Sequence, residues 1–389
     1  MGSFRFLTAG ESHGKGLVAI VDGMVATLPL EERYINTHLK RRQRGYGRGG
    51  RMKIESDKVE IIAGVLHGLT TGSPIAMFIA NRDWENWQQV LSVSPIDGEI
   101  DPVTRPRPGH ADLAGVTKYG LKDVRPIIER ASARETAARV AVGAIARRFL
   151  EELGIRIYSC TVAIGRHHWQ PRKVSSLNWE QVERSPVRCA DAKVERAMVT
   201  AIDEAKVDGD TLGGVFEVIV TGVPVGLGSH VSWDRRLDGR IARAIMSINA
   251  VKGVEIGDGF ALAKLRGSQA HDVIKPNHSS KAKGLPWRHA TNRAGGIEGG
   301  ISNGENLVVR AAVKPIATLA NRLPSIDLQS RKKAEAHYER SDVCVVPAAG
   351  VIGEGMLAIV LADACLEKFG GDNLRETLAN YGSYLRSIS

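Results

Sequence analysis

SARETAARVAVGAIARRFLEEL, residues 132–153, is the stretch on which the architecture turns. Ser132 and Glu135 have the S-x-x-E spacing of a capping box, and apolar Ala138, Ala141, Ile145, Phe149 and Leu153 follow at helical spacing. Gly154 then suits a C-terminal cap. Alanine also occupies positions 133, 137, 144 and 146, so short side chains lie on several faces and neighbouring elements can approach from several sides. The pattern predicts an interior helix over Ser132–Leu153.

Upstream, four short apolar runs, Phe4–Thr8, Leu17–Val21, Val59–Val65 and Pro74–Ala80, are bounded by glycine-rich turns and read as strands. Leu30–Arg42 between them has helical spacing. Downstream, helices are expected at Ala192–Lys206 and Asp234–Ile248, and strands at Gly214–Thr221, Phe260–Leu265 and Leu307–Val313. Gly165–Pro186 reads as a polar loop. Two helices, about Gly350–Lys368 and Asp372–Ser387, close the chain, with Gly370 as a stop between them. The mixture lacks a regular βαβα rhythm, which predicts an α+β fold with largely antiparallel sheets, in one domain covering 1–389.

The 389 residues are 43% hydrophobic and 25% charged, a globular composition that excludes a disordered tail. A formal charge of +10 favours anionic partners without choosing among nucleic acid, membrane surface and acidic metabolites. Four scattered cysteines make no disulfide framework, zinc motif or redox pair. The N-terminus lacks the apolar core of a signal peptide, and no run of residues approaches the roughly 18 of a membrane span. A cytoplasmic protein is expected, with no metal, no nucleic acid and no membrane partner.

Chemistry-bearing residues cluster where the 42 glycines do. Gly10-Glu11-Ser12-His13-Gly14 would present Ser12 and His13 on a sharp loop between strands. GxSxG does not fit there, so Ser12 reads as a hydrogen-bonder and not a nucleophile. Residues 39–51, LKRRQRGYGRGGR, place six Arg and Lys among thirteen residues. The formal GxGxxG at Gly45, Gly47 and Gly50 lies after a helix and before a strand, the reverse of a dinucleotide-binding turn. An RGG-like RNA-binding segment is the alternative, but such segments are long and of low complexity. A rigid arginine loop that forks onto carboxylates and phosphate fits better. In Arg105-Pro106-Arg107-Pro108-Gly109-His110-Ala111-Asp112, prolines stiffen a turn in which Asp112 could orient His110. Glu129-Arg130-Ala131-Ser132-Ala133-Arg134-Glu135 puts two arginines at a helix N-terminus, a ready anion site.

These segments resemble those of the chorismate synthase family, in the family's order from Phe4 to about Gly371. The matches are GESHG (10–14), RRQ-x-GYGRGGRM (41–52), RPGHAD (107–112), ERASARET (129–136), DGDTLGG (208–214) and GVPVGLGS (222–229). SINAVKGVEIGDGF (247–260), NRAGGIEGGISNG (292–304), KPIAT (314–318) and RSDVCVVPAAGV (340–351) continue the series. The resemblance implies a β-α-β sandwich with helices between two sheets, usually assembled as a homotetramer. It implies a lyase that turns 5-enolpyruvylshikimate 3-phosphate into chorismate and phosphate by anti-1,4-elimination. Reduced FMN (FMNH2) is required without net redox change, supplied by an external flavin reductase or, in some relatives, from NADPH. An FMN oxidoreductase, with net hydride transfer to a second substrate, is the other alternative.

Position by position, the resemblance makes His13 the acid for the departing phosphate, His110 the acid for the reduced flavin and Asp342 the carboxylate that relays the substrate proton. Ser12, Arg42, Arg48, Arg134 and Arg340 correspond to substrate-binding residues. Arg130, Ala131, Ser132, Asn249, Ala250, Gly299, Lys314, Pro315, Ile316, Ala317, Thr318 and Arg340 correspond to flavin contacts. Ala131 stands where Ser is frequent in the family, and Ala317 where Ser or Pro is.

Overall fold

The computed structural model describes residues 4–49, 56–169, 177–277 and 285–388. Gly50, Arg51 and Met52 of the arginine-rich motif and residues 170–176 of the expected polar loop lie outside them.

Short, largely apolar runs build the first sheet from β1 Arg5–Ala9, β2 Gly16–Asp22, β3 Val59–Ala63 and β4 Ile75–Ala80. All pairings are antiparallel, in the order β1-β2-β4-β3. Leu17, Ala19 and Val21 of β2 and Ile75, Met77 and Ile79 of β4 are buried on one face, while Leu7, Ile20 and Ile62 are exposed on strands of the same sheet. The second sheet is also antiparallel, in the order β8-β9-β7-β5-β6. Its strands are β5 Arg156–Ile164, β6 His167–His168, β7 Gly214–Thr221, β8 Val251–Ile256 and β9 Leu307–Val313.

Helices pack between and around the sheets. The principal ones are α1 Glu32–Gln43, α2 Asp112–Tyr119, α3 Arg125–Ala131, α4 Thr136–Glu152, α5 Ala192–Val207, α6 Leu237–Met246, α7 Val346–Phe369 and α8 Leu374–Ile388. α4 packs on β1 and β2, α7 packs on β5 and β7, and the two helices pack on each other. At their crossing a Cβ on Gly143 would lie 2.4 Å from the Gly355 Cα, so glycine is what lets the backbones meet. The expected α+β sandwich of antiparallel sheets over interior helices is what the chain forms.

Several expectations change. The interior α-helix starts at Thr136 after a 3-10 turn, Ala133–Glu135, and the capping box is not reciprocal. The Ser132 side chain accepts from the Arg134 N–H, whereas the Glu135 carboxylate turns to Thr8 and Arg139. Phe260–Leu265 is not a strand; Gly259–Lys264 is a 3-10 helix, because Gly257 and Gly259, both at positive φ, turn the chain after β8. Strand β5 had gone unread. A loop over 165–186 is interrupted by β6 and by helix Trp179–Arg184. The expectation that no run approaches a membrane span also fails: Val346–Phe369 has a mean hydropathy of 1.8 over its best 18 residues. Of that window 89% is buried inside the protein, so the apolarity all round α7 is that of a core helix enclosed by the second sheet and by other helices.

Candidate active site

Ser12 and His13 sit on the β1–β2 loop, which Asn81 at the end of β4 anchors by donating to the Glu11 and Gly14 carbonyls at 3.1 and 2.7 Å. The same amide accepts from Arg134 Nε at 2.8 Å, so the histidine loop and the helix-cap arginine are held by one side chain. The Glu129 carboxylate, buried on the last turn of α3, accepts from the His13 backbone N–H at 2.7 Å and meets His13 Nδ1 at 2.7 Å. Trp87 stacks on the imidazole with ring centroids 4.2 Å apart. Ser12 Oγ donates to Ser132 Oγ at 2.9 Å.

His110 is held in a similar way from the opposite loop. Its Nδ1 lies 2.5 Å from an oxygen of buried Asp112, as the sequence suggested. Here, though, the carboxylate is shared: Arg107 donates to Asp112 through its backbone N–H at 2.9 Å and through Nε at 2.8 Å. Burial alone would raise the Asp112 carboxyl, but the His110 and Arg107 hydrogen bonds outweigh it and hold it well below the usual carboxylate range. Arg107 also donates to Thr318 Oγ1 at 3.0 Å, which ties the His110 turn to the KPIAT segment.

Both histidines line one cavity of about 630 Å³. Ile248, Val345, Ala348, Ala349 and Ile352 give it an apolar part, and arginines Arg42, Arg48, Arg107, Arg134 and Arg340 give it a basic part. Arg42 and Arg134, both buried, converge on the buried carboxylate of Asp57, and Arg42 adds Thr136 Oγ1 at 2.9 Å and the Ala133 carbonyl at 2.8 Å. Burial, with Arg48 and Arg134 as like-charged neighbours, pushes Arg42 down to about 10 despite Asp57. Asp342 accepts from the Gly49 N–H at 2.6 Å and lies 3.4 Å from Arg48 Nε. Among the described residues, five arginines and Lys314 face three lining carboxylates, Asp83, Glu339 and Asp342, so their excess is positive and suits a ligand of several negative charges.

On the other wall, Asn249 Nδ2 donates to the Ala131 carbonyl at 2.9 Å. That fixes the amide and leaves its Oδ1 buried with no hydrogen-bond partner among the described residues. Ala250 beside it has φ +67°, a strained conformation for a residue with a Cβ, and its carbonyl accepts from the Lys314 N–H at 2.9 Å. Burial, then neighbouring Lys252, lowers the Lys314 ammonium from its ordinary value. An orphaned acceptor beside an apolar surface is what a planar heteroaromatic ring with its own N–H groups would satisfy, so the residues fit a flavin.

The structure thus gathers His13, His110, Asp342, Ser12, Arg42, Arg48, Arg134, Arg340, Ala131, Ser132, Asn249, Ala250, Lys314, Ile316, Ala317 and Thr318 around one space. Arg130, Gly299 and Pro315 lie off it. Arg130 reaches back to the Thr8 and Gly10 carbonyls, and Gly299 belongs to the turn of the hairpin Ile297–Glu298/Ile301–Ser302. Sequence reasoning missed Asp57, Trp87 and Glu129 as contributors. Glu129 stood inside a quoted motif, but nothing local says which side chain a buried carboxylate will meet.

A chorismate synthase family model matches residues 4–366. The chain is 59% identical to a chorismate synthase of Moorella thermoacetica, over 99% of this chain and 100% of that one. It is 54% identical to one of Aquifex aeolicus, over 99% and 98%. A crystal structure of a chorismate synthase superposes with a TM-score of 0.79 at 45% identity, covering 99% of this chain and 98% of the other.

Proposed function

The chain belongs to the chorismate synthase family, and from that premise we propose how its residues divide the work of the family's reaction. It is a lyase that converts 5-enolpyruvylshikimate 3-phosphate to chorismate and phosphate, the last step of the shikimate pathway, with reduced FMN as the required cofactor. When bound, reduced FMN supplies electron density to the allylic centre and recovers it, so the elimination proceeds without net oxidation.

The substrate carries a phosphate and two carboxylates, and Arg42, Arg48, Arg134 and Arg340 are the residues assigned to hold them. Ser12 completes the phosphate side. His13 is the acid for the departing phosphate: with Nδ1 on Glu129, Nε2 is the ring nitrogen left for a ligand. His110, backed by Asp112, serves the cofactor side, and Asp342 accepts the proton lost from the substrate ring. Ala131, Ser132, Asn249, Ala250 and Lys314 through Thr318 would hold the flavin, with Arg340 between the two ligands. Arg130, Gly299 and Pro315 keep their family assignment as flavin contacts, although they lie off the cavity within one chain.

The observation that carries this division is the convergence of two carboxylate-backed histidines on one arginine-lined cavity. Its test is anaerobic addition of chemically reduced FMN and the phosphorylated substrate, with chorismate absorbance and phosphate release followed together. His13→Ala should lower turnover about 10²-fold or more while the substrate still binds. Near-normal turnover would remove His13 from the role. One connected hydrophobic core running through both sheets supports the chain acting as a single domain. Exposed Leu7, Ile20 and Ile62 on the first sheet support assembly into a homotetramer, and four free cysteines accord with the cytoplasm. An external reductase is the proposed source of reduced flavin.

A further inference from the structure

Removing a carboxylate from water is expensive unless a cation or several hydrogen bonds compensate it, so the partners of a buried carboxylate indicate what it is there for. Three buried carboxylates stand behind the cavity: Asp57, Asp112 and Glu129. Asp57 is compensated by Arg42 and Arg134, and Asp112 by Arg107 as well as by His110. Glu129 is 2% exposed, and among the described residues its ion-pair partner is His13 and no lysine or arginine. Neighbouring Arg130, which could have supplied a charge, is turned to backbone carbonyls of the β1–β2 region.

Both oxygens of Glu129 go to that one residue, Oε2 to the His13 backbone N–H and Oε1 to Nδ1, each at 2.7 Å. The backbone carbonyl of Glu129 accepts from the Ser12 N–H at 3.2 Å. A carboxylate needed only to shape the loop would be satisfied by backbone donors. The bond to Nδ1 does something further: it keeps a hydrogen on that nitrogen and leaves Nε2 for the cavity, while Trp87 closes one face of the ring. When His13 also carries a proton on Nε2, the dedicated carboxylate is its counter-ion. His110 has no such dedicated partner, because Arg107 already neutralises Asp112.

We propose that Glu129 is the positioning residue of His13: it selects the Nδ1–H tautomer and is the hydrogen-bonded counter-ion of the ring when that ring is the proton donor. This rests on the assignment of His13 as the acid. A glutamine at 129 can accept only one of the two hydrogens, and its NH2 group facing Nδ1 would select the opposite tautomer.

The experiment uses the full chain with chemically reduced FMN and substrate under anaerobic conditions. Glu129→Gln should lower kcat about 10²-fold with KM within roughly threefold, and Glu129→Gln/His13→Ala should be no slower than His13→Ala alone. Wild-type kcat in Glu129→Gln, or a double variant in which the two losses multiply, would overturn the proposal. Should His13→Ala keep near-normal turnover, it is the assignment of His13 that fails. Nitrogen-15 spectra of histidine-labelled wild type, with His13 signals identified by their loss in His13→Ala, give a readout independent of how Glu129→Gln folds. A hydrogen on Nδ1 is expected in the neutral ring, and a ring protonated only on Nε2 would refute the proposal.

Discussion

Arg41 and Arg42 are neighbours on the last turn of α1, yet they end in two different buried carboxylate clusters. Arg41 meets Glu354 at 2.7 and 2.9 Å, inside the sandwich, where Arg147 and Arg188 reach the same carboxylate at 2.6 and 3.3 Å. Glu183 and Glu151 complete this cluster at 2.5 Å from Arg41 and 3.4 Å from Arg147, and Ser159 Oγ donates to Glu354 at 2.7 Å. Arg148 extends it, pairing with Glu151 at 3.7 Å and with Glu152, so among the described residues four arginines face four carboxylates and the charge closes on itself. Arg42 turns the other way, to Asp57, which it shares with Arg134 at the wall of the cavity. There, among the described residues, Arg42 and Arg134 share that carboxylate, with Arg48, Asp342 and Arg340 nearby. The chemistry is the same, but the first cluster joins α1, α4, α7 and β5 inside the sandwich, and the second borders the cavity that an anionic ligand would enter.

The largest expected effect lies in the closed cluster. Glu354→Gln leaves Arg188, which is buried, and Arg41 and Arg147, which are mostly buried, short of their central charge and should destabilise the fold by about 3–5 kcal/mol. Denaturant melts would measure it, and inorganic phosphate should not restore the loss, since Glu354 does not line the basic cavity. Recovery with phosphate would erase the distinction between the two clusters. Asp57→Asn is expected to destabilise by less, about 2 kcal/mol, because its arginines border a cavity that water and ions can enter. Phosphate at a hundredfold excess over its Kd should return about 2.7 kcal/mol, and a larger rise in Tm than in wild type is the sign to look for.

The smallest effect concerns His38, which accepts from Arg41 at 3.3 Å. Burial, then Arg147 and Arg41, pushes its imidazole down to about 3. The unfolded chain therefore binds a proton as pH falls through the ordinary value of about 6.5 while the folded chain does not, so stability is lost from there towards pH 3. His38→Gln should remove part of that slope, on the order of 1 kcal/mol between pH 6.5 and 5. An unchanged slope in thermal melts across that range would show that the closed cluster does not depress His38.

Much of the fold was legible because apolar strand runs and helix spacing are local. β7 and β9 have the bounds their apolar runs predict, and α1 and α5 fall within two residues of their expected ends. Phe260–Leu265 misled because an apolar stretch that short reads the same in a strand or a 3-10 turn, and the glycines before it decide. The site was legible as motifs, since His13, His110 and the arginine loop are set among glycines and prolines. Asp57, Trp87 and Glu129 were not legible as partners, because their contacts run across the fold.

The order of ten motifs, present in the linear chain, determined the family and with it the reaction and the cofactor. The alanine-rich helix and the short apolar strands implied an α+β fold with an interior helix, and the resemblance to the family implied the layered sandwich. Tertiary structure alone decided that Glu129 meets His13 across 116 residues, and that Asp57 stands between Arg42 and Arg134 at separations of 15 and 77. It alone also decided that the membrane-like apolarity of Val346–Phe369 serves the centre of a protein core. The physical reason is that periodicity states which face of an element is to be buried. The partner a charge finds there depends on how two sheets and the helices between them come together.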